Sequence, residues 1–260
     1  MKLESLSASR IKTFEQCELK YHAVYELHLP EEEVHPLTLM GSAIHRMLER
    51  ATLAAKDKGA IIGEGPSDPF TYKAEACRKF SVPVEHWDTM DDLVRNALTW
   101  GYFRAIAHCS NCELRCQFHL PDETPVNGII DRLDLFSDWA DIIDIKTQKN
   151  AFEPQELRDN WQARIYNIAV RVDHPEVTGK VSVSFWVLRH QVQRVWLTEQ
   201  DAENDILRLT EKAASIRACV SPKASPSGLC PWCPNHENCS LSKSGIKARM
   251  ANKMKAMVTG

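Results

Sequence analysis

The stretch from Val126 to Lys149, VNGIIDRLDLFSDWADIIDIKTQK, limits what this chain can become more than any other. Two apolar, β-branched runs, Gly128 to Phe136 and Ala140 to Thr147, are joined by the polar pair Ser137-Asp138, which is the pattern of a β-hairpin. Buried strands rarely carry charge, because an ionised group inside costs free energy unless it is paired or holds a metal. Asp131, Asp144 and Lys146 nevertheless fall within the apolar runs. Side chains alternate along a strand, so Asp144 and Lys146 project to one face while Ile145 turns to the other. Hairpin pairing can bring Asp131 across to the same end. Two carboxylates and an ammonium then surround one small space, an arrangement suited to a hard divalent cation and a phosphate.

With 260 residues the chain can bury a full core. It has no apolar run of the roughly 18 to 20 residues that a membrane helix needs, and MKLESLSASR lacks the apolar stretch of a signal peptide, so a cytoplasmic location is expected. Nine cysteines in such a chain argue for free thiols or metal ligands rather than a disulfide framework. A net charge of −3 speaks against non-specific coating of nucleic acid but leaves room for a local basic groove.

Ser7 and Ser9 offer caps for a helix beginning near Arg10, and Phe14, Cys17, Tyr21 and Val24 recur at helical spacing, which places Cys17 on an apolar stripe. Alone it reads as a core thiol. A second amphipathic helix, Leu39 to Ala55, buries Met40, Ile44, Met47, Leu48 and Ala51, with Gly41, His45 and Glu49 on a neighbouring stripe. The segment from Lys56 to Lys73 reads as a long connection. A helix from the Thr89 to Asp92 capping box is expected to continue past Gly101 and Ile106 toward Cys109. Leu114, Cys116, Phe118 and Leu120 then alternate with polar residues, giving a half-buried strand. Cys109, Cys112 and Cys116 read as structural, and Glu113 as a solvated strand glutamate, with an outer carboxylate of a metal site as the alternative.

Pro154 opens an expected long helix whose buried stripe is Leu157, Trp161, Ile165, Ile168 and Val172. Gln162 and Tyr166, four apart, share another face with Arg158 beside it. A second hairpin follows around His190, then a helix from Glu199 to Cys219. In the Pro- and Gly-rich stretch after it, Cys230-x2-Cys233-x5-Cys239 would make poor core but good metal ligands. Three thiolates leave a tetrahedral centre one short, and Cys17 offers the fourth. The tail from Lys243 to Gly260 is basic and reads either as an arm on DNA or as a frayed end.

Taken in order, Gly41-x3-His45, Gly128-x2-Asp131, Asp144-x-Lys146 and Gln162-x3-Tyr166 resemble the motifs of the RecB-like branch of the PD-(D/E)XK nuclease superfamily. The opening SASRIKTFEQCELKY and the late CPWCPNHENC resemble its iron–sulfur variety, as in small CRISPR-associated exonucleases and AddB-type nuclease domains. The resemblance implies an α/β, restriction-endonuclease-like fold: a mixed central sheet flanked by helices, with a helical N-terminal region and a C-terminal Fe–S clasp. It implies one nuclease domain over residues 1–242, comprising a helical part to about 108, a core of about 109–219 and an Fe–S loop of about 220–242 that closes onto Cys17, followed by the tail 243–260. Asp131 and Asp144 become metal-binding carboxylates, with His45 and the carbonyl of Ile145 as further ligands of Mg²⁺ or Mn²⁺. Lys146 orients or helps deprotonate the attacking water, Gln162 and Tyr166 support the site and contact DNA, and Cys17, Cys230, Cys233 and Cys239 hold a [4Fe–4S] cluster, with zinc as the alternative.

The expected activity is a metal-dependent DNA exonuclease acting on single strands or ends in recombination, repair, or phage or CRISPR DNA processing, with a helicase or an integrase as possible partner and no membrane attachment. A non-catalytic DNA-end-binding or scaffolding protein is the competing class. Buried Asp131, Asp144 and Lys146 speak against it, since a scaffold has no need of them.

Overall fold

The computed structural model describes residues 1–30, 35–56, 63–228, 230, 233–236, 239 and 241. Contacts divide the chain into two compact units, Met1–Val34 with Leu209–Gly260, and His35–Arg208. The helical N-terminal part expected to run to about residue 108 is thereby shared between the two units.

In the first unit, Ser7 caps α1 (Ala8–Gln16) by accepting from the Arg10 N–H at 3.3 Å. The helix does not continue through Cys17 as its periodicity suggests. Cys17 is extended (φ −168°, ψ 113°) and separates α1 from α2 (Glu18–Tyr21), which runs on as a π-helical turn over His22–Glu26. The break gives up helical continuity and turns the thiol toward the chain after residue 222: Ser225 N–H donates to Cys17 Sγ at 3.4 Å, and Leu19 N–H to the Lys223 carbonyl at 3.1 Å.

The second unit carries α3 (Pro36–Lys56), α4 (Lys73–Phe80), α5 (Trp87–Thr99), β1 (Cys109–His119), β2 (Pro125–Leu135), β3 (Ala140–Lys146), α6 (Pro154–Arg158), α7 (Trp161–Asp173), β4 (Val181–Val187) and β5 (Gln191–Leu197); α8 (Glu199–Ala218) starts here and ends in the first unit. The sheet order is β1-β2-β3-β4-β5. Among the described residues only β3 and β4 pair in parallel, which requires a crossover, and α6 and α7 supply it. Every residue of β4 is buried, as suits a strand covered on both faces.

Met40, Ile44, Met47, Leu48 and Ala51 of α3 are all buried, in one cluster with Ile143, Ile145 and Trp186 of the sheet. Three expectations change. The segment before Lys73 is not an open connection throughout, because residues 65–67 and 69–72 form 3₁₀ turns in which Ser67 and Pro69 are buried; residues 57–62 lie outside the described residues. The helix α5 stops at Thr99, where Gly101 takes φ +86° and a Cβ would meet the Arg104 side chain at 2.4 Å. The helix expected from Pro154 is two helices, because the Asn160 side chain accepts from the Gln162 and Ala163 N–H groups and restarts it. Past the restart Ile165 and Ile168 are buried as expected, Tyr166 is buried beside them, and Val172, expected inside, is 57% exposed.

Candidate active site

The hairpin forms as its pattern indicates. Arg132 pairs with Ile143, so Asp131 and Asp144 stand one step further along adjacent strands. Alternation sends Ile143 and Ile145 into the α3 cluster and Asp144 and Lys146 to the opposite face, where Lys146 Nζ donates to Gln162 Oε1 of α7 at 2.8 Å. Lys146 Nζ also lies 2.6 Å from Asp144 Oδ2. Gln162 Nε2 donates to Tyr166 OH at 2.7 Å, and the phenol donates to the Ile129 carbonyl. A continuous polar chain thus runs from β2 through α7 to the lysine. Gly128 makes room for it: a Cβ there would meet Cys116 Sγ at 2.9 Å and Tyr166 Cε1 at 3.2 Å. Arg158, expected beside Gln162, belongs to α6 and donates to Gln155.

From the other side, α3 brings His45. Its Nε2 donates to the Ile145 carbonyl at 3.0 Å and its Nδ1 lies 3.3 Å from Asp131 Oδ1, while Asp131 Oδ2 accepts from the Ile145 N–H at 2.6 Å. Helix and strand can approach this closely because position 41 is glycine, whose missing Cβ would stand 3.0 Å from Thr147 Oγ1. The third group at this point is Glu113, 3.9 Å from His45 Nδ1. Cys112 pairs with Arg132 and Leu114 with Ile130, so Glu113, its side chain still 36% exposed, sits opposite Asp131 and next to His45, where the alternative of an outer carboxylate would put it. Like charges directly across a strand pair repel unless a cation lies between them, and that pairing is the signal the sequence carried. Glu113 also adopts a left-handed φ of +49°, an uncommon conformation for a residue with a side chain.

Electrostatics follow this crowding. Burial opposes charge on His45, yet the Asp131, Asp144 and Glu113 carboxylates outweigh it and bring its pKa up to about 9. Burial raises Asp144 to about 6, with Lys146 opposing and Asp131 reinforcing the shift. Burial likewise raises Glu113, while for Asp131 the imidazolium, the Ile145 N–H and Lys146 overcome burial and lower it. Carboxylate oxygens, a backbone carbonyl and an imidazole that together favour positive charge this strongly are a donor set fit for a hard divalent cation. His45, Glu113 and Asp131 offer ligand atoms all within 4.8 Å of one another; Asp144 is instead turned to Lys146. The group opens into a cavity of about 770 Å³.

The first unit holds a second cluster. Cys17, Cys230, Cys233 and Cys239 line one pocket. Two backbone donors point at its sulfurs, Ser225 N–H at Cys17 and Ser227 N–H at Cys230 (3.1 Å). Burial raises the Cys233 thiol, and the neighbouring Cys17 and Cys230 add to the shift. Soft sulfur donors with N–H groups directed at them fit an iron–sulfur or zinc centre. Cys109, Cys112 and Cys116 are buried in β1, as a structural reading expects, with the Cys109 and Cys112 sulfurs 3.9 Å apart. The basic tail lies outside the described residues.

A mixed five-stranded sheet with helices against it, carrying acidic side chains and a lysine at adjoining strand ends, is the restriction-endonuclease-like α/β architecture. The chain belongs to the PD-(D/E)XK nuclease superfamily, whose model matches residues 5–240. It is 26% identical over 167 residues to an ATP-dependent helicase/deoxyribonuclease subunit found in three Streptococcus agalactiae strains, an alignment that covers 58% of this chain and 15% of theirs. The chain therefore spans a small part of the length of these relatives. It is also similar in fold to the crystal structure of a "putative exonuclease" from Eubacterium rectale, at 14% identity and a TM-score of 0.53 over 93% of this chain and 88% of that one. Among the described residues no helix is long and apolar enough to cross a membrane.

Proposed function

We infer that this chain is a divalent-metal-dependent deoxyribonuclease, working as an exonuclease on single strands or strand ends. The observation that carries the reading is the pairing of His45 with Asp131 and of Lys146 with Asp144 from α3 and two adjacent strands, beside a cavity that His45, Glu113 and Lys146 line. Asp131, Asp144, His45 and the Ile145 carbonyl are the ligands proposed for Mg²⁺ or Mn²⁺, with Glu113 added by its position opposite Asp131. Such a cation supplies neutralisation of an anionic phosphodiester and a bound water of lowered pKa. Lys146 is held between Asp144 and Gln162, which fixes its ammonium where it can orient an attacking water and offset charge on the phosphate. Gln162 positions that lysine, and the buried Tyr166 holds Gln162 in place.

Cys17, Cys230, Cys233 and Cys239 are proposed to hold a [4Fe–4S] cluster, zinc being separable from it by iron content. The family match runs through both units, which supports reading residues 1–242 as one nuclease domain. Similarity to a component of a helicase/deoxyribonuclease supports a helicase as partner in recombination or repair, in the cytoplasm. The test is incubation of anaerobically purified protein with end-labelled single- and double-stranded DNA. Degradation with Mg²⁺ or Mn²⁺ and none with EDTA is expected; DNA intact under every metal condition would overturn the reading.

A further inference from the structure

The wall of the active-site cavity includes the end of α4, a segment outside the motifs that carry the family resemblance. Lys79 and Phe80 line the cavity there, and Lys149 lines it from the loop after β3. The cavity's other cations are engaged: Lys146 with Asp144, and Arg46 with Glu49 at 3.0 Å and Glu75 at 3.1 Å. Among the described residues no carboxylate pairs with Lys79 or Lys149, and both are exposed. The loop that carries Lys149 is fastened by Arg189, whose Nε donates to the Thr147 carbonyl at 3.1 Å. Lys79 Nζ lies over the half-buried Phe80 ring, 5.2 Å from its centre, so a base that stacks there takes the ring face the ammonium now covers.

The geometry points to a strand-entry subsite in which Phe80 stacks a nucleobase while Lys79 and Lys149 take the phosphates flanking the scissile one. The subsite selects a single strand, because a stacking ring needs an unpaired base. This rests on the nuclease reading and names the part of the site that chooses its substrate.

The test compares the full chain with Phe80→Leu, Phe80→Tyr, Lys79→Gln and Lys149→Gln, using a 5′-fluorescein oligothymidylate and a duplex of equal length. Anisotropy in EDTA reads binding, and hydrolysis with Mn²⁺ reads KM and kcat separately. Phe80→Leu keeps the apolar bulk that packs on the core and should raise Kd and KM for the single strand about tenfold, with Phe80→Tyr restoring them. Each lysine variant should lower the slope of log Kd against log salt by about 0.7. The inference is overturned if Phe80→Leu binds and cleaves like wild type, if the lysine variants keep the full slope, or if duplex binds as tightly as single strand. A wild type that binds with these dependences but hydrolyses nothing would overturn the nuclease reading and leave the subsite standing.

Discussion

Glu113 and Asp131 face each other across β1 and β2, and the His45 imidazole lies within 3.9 Å of the first and 3.3 Å of the second. Two carboxylates so placed keep a cation between them. Here the His45 imidazole lies there, its pKa brought up to about 9 by the carboxylates around it, and in the working protein we assign that place to the metal.

Glu113→Gln keeps the shape and removes one charge. Mn²⁺ affinity, measured by calorimetry, should fall about tenfold or more, in the range seen when a metal site's supporting groups are altered. A glutamate that merely faced solvent would leave it unchanged.

The metal-free protein should show the histidine in its stability. His45 is raised to about 9 from 6.5, so the stability it contributes is fully present below pH 6.5 and is lost as pH rises through about 9. Urea midpoints in EDTA should decline across that window for wild type and decline less for His45→Gln. Parallel curves would show that the imidazole keeps no special pairing.

Gly128→Ala should destabilise the chain by about 1–3 kcal/mol, the usual cost of forcing extra atoms into a packed site. The added methyl meets Cys116 Sγ at 2.9 Å, so Cys116→Ala in the same chain should recover part of the loss. Urea unfolding of the two single variants and the double variant measures that coupling.

The cysteine cluster predicts that Cys233→Ala and Cys17→Ser each lose iron and the brown colour, with lowered recovery of folded protein. Iron content per chain checks this; a variant that keeps its iron would remove that residue from the ligand set.

The hairpin was legible because a period of two, interrupted by charge, has few other meanings, and the resemblance carried by Gly41-x3-His45 and Gln162-x3-Tyr166 implied that these residues gather around it. What escaped the pattern depended on single capping events. Helical spacing through Cys17 and through Asp159-Asn160 looks unbroken until a side chain takes the backbone's hydrogen bonds, as Asn160 does, or a thiol turns to a distant loop, as Cys17 does. Glu113 stayed an alternative for a different reason: its place beside the site comes from a cross-strand partner 18 positions away, and the β1–β2 register fixes that pairing.

The central claim is that Lys146, held 2.6 Å from Asp144 and 2.8 Å from Gln162, takes part in cutting DNA. Single-turnover hydrolysis of an end-labelled single strand at saturating Mn²⁺ tests it most directly. Lys146→Ala should slow the step by about 10²–10⁴-fold while the protein stays folded and coloured. A Lys146→Ala protein that cuts at the wild-type rate would contradict the account.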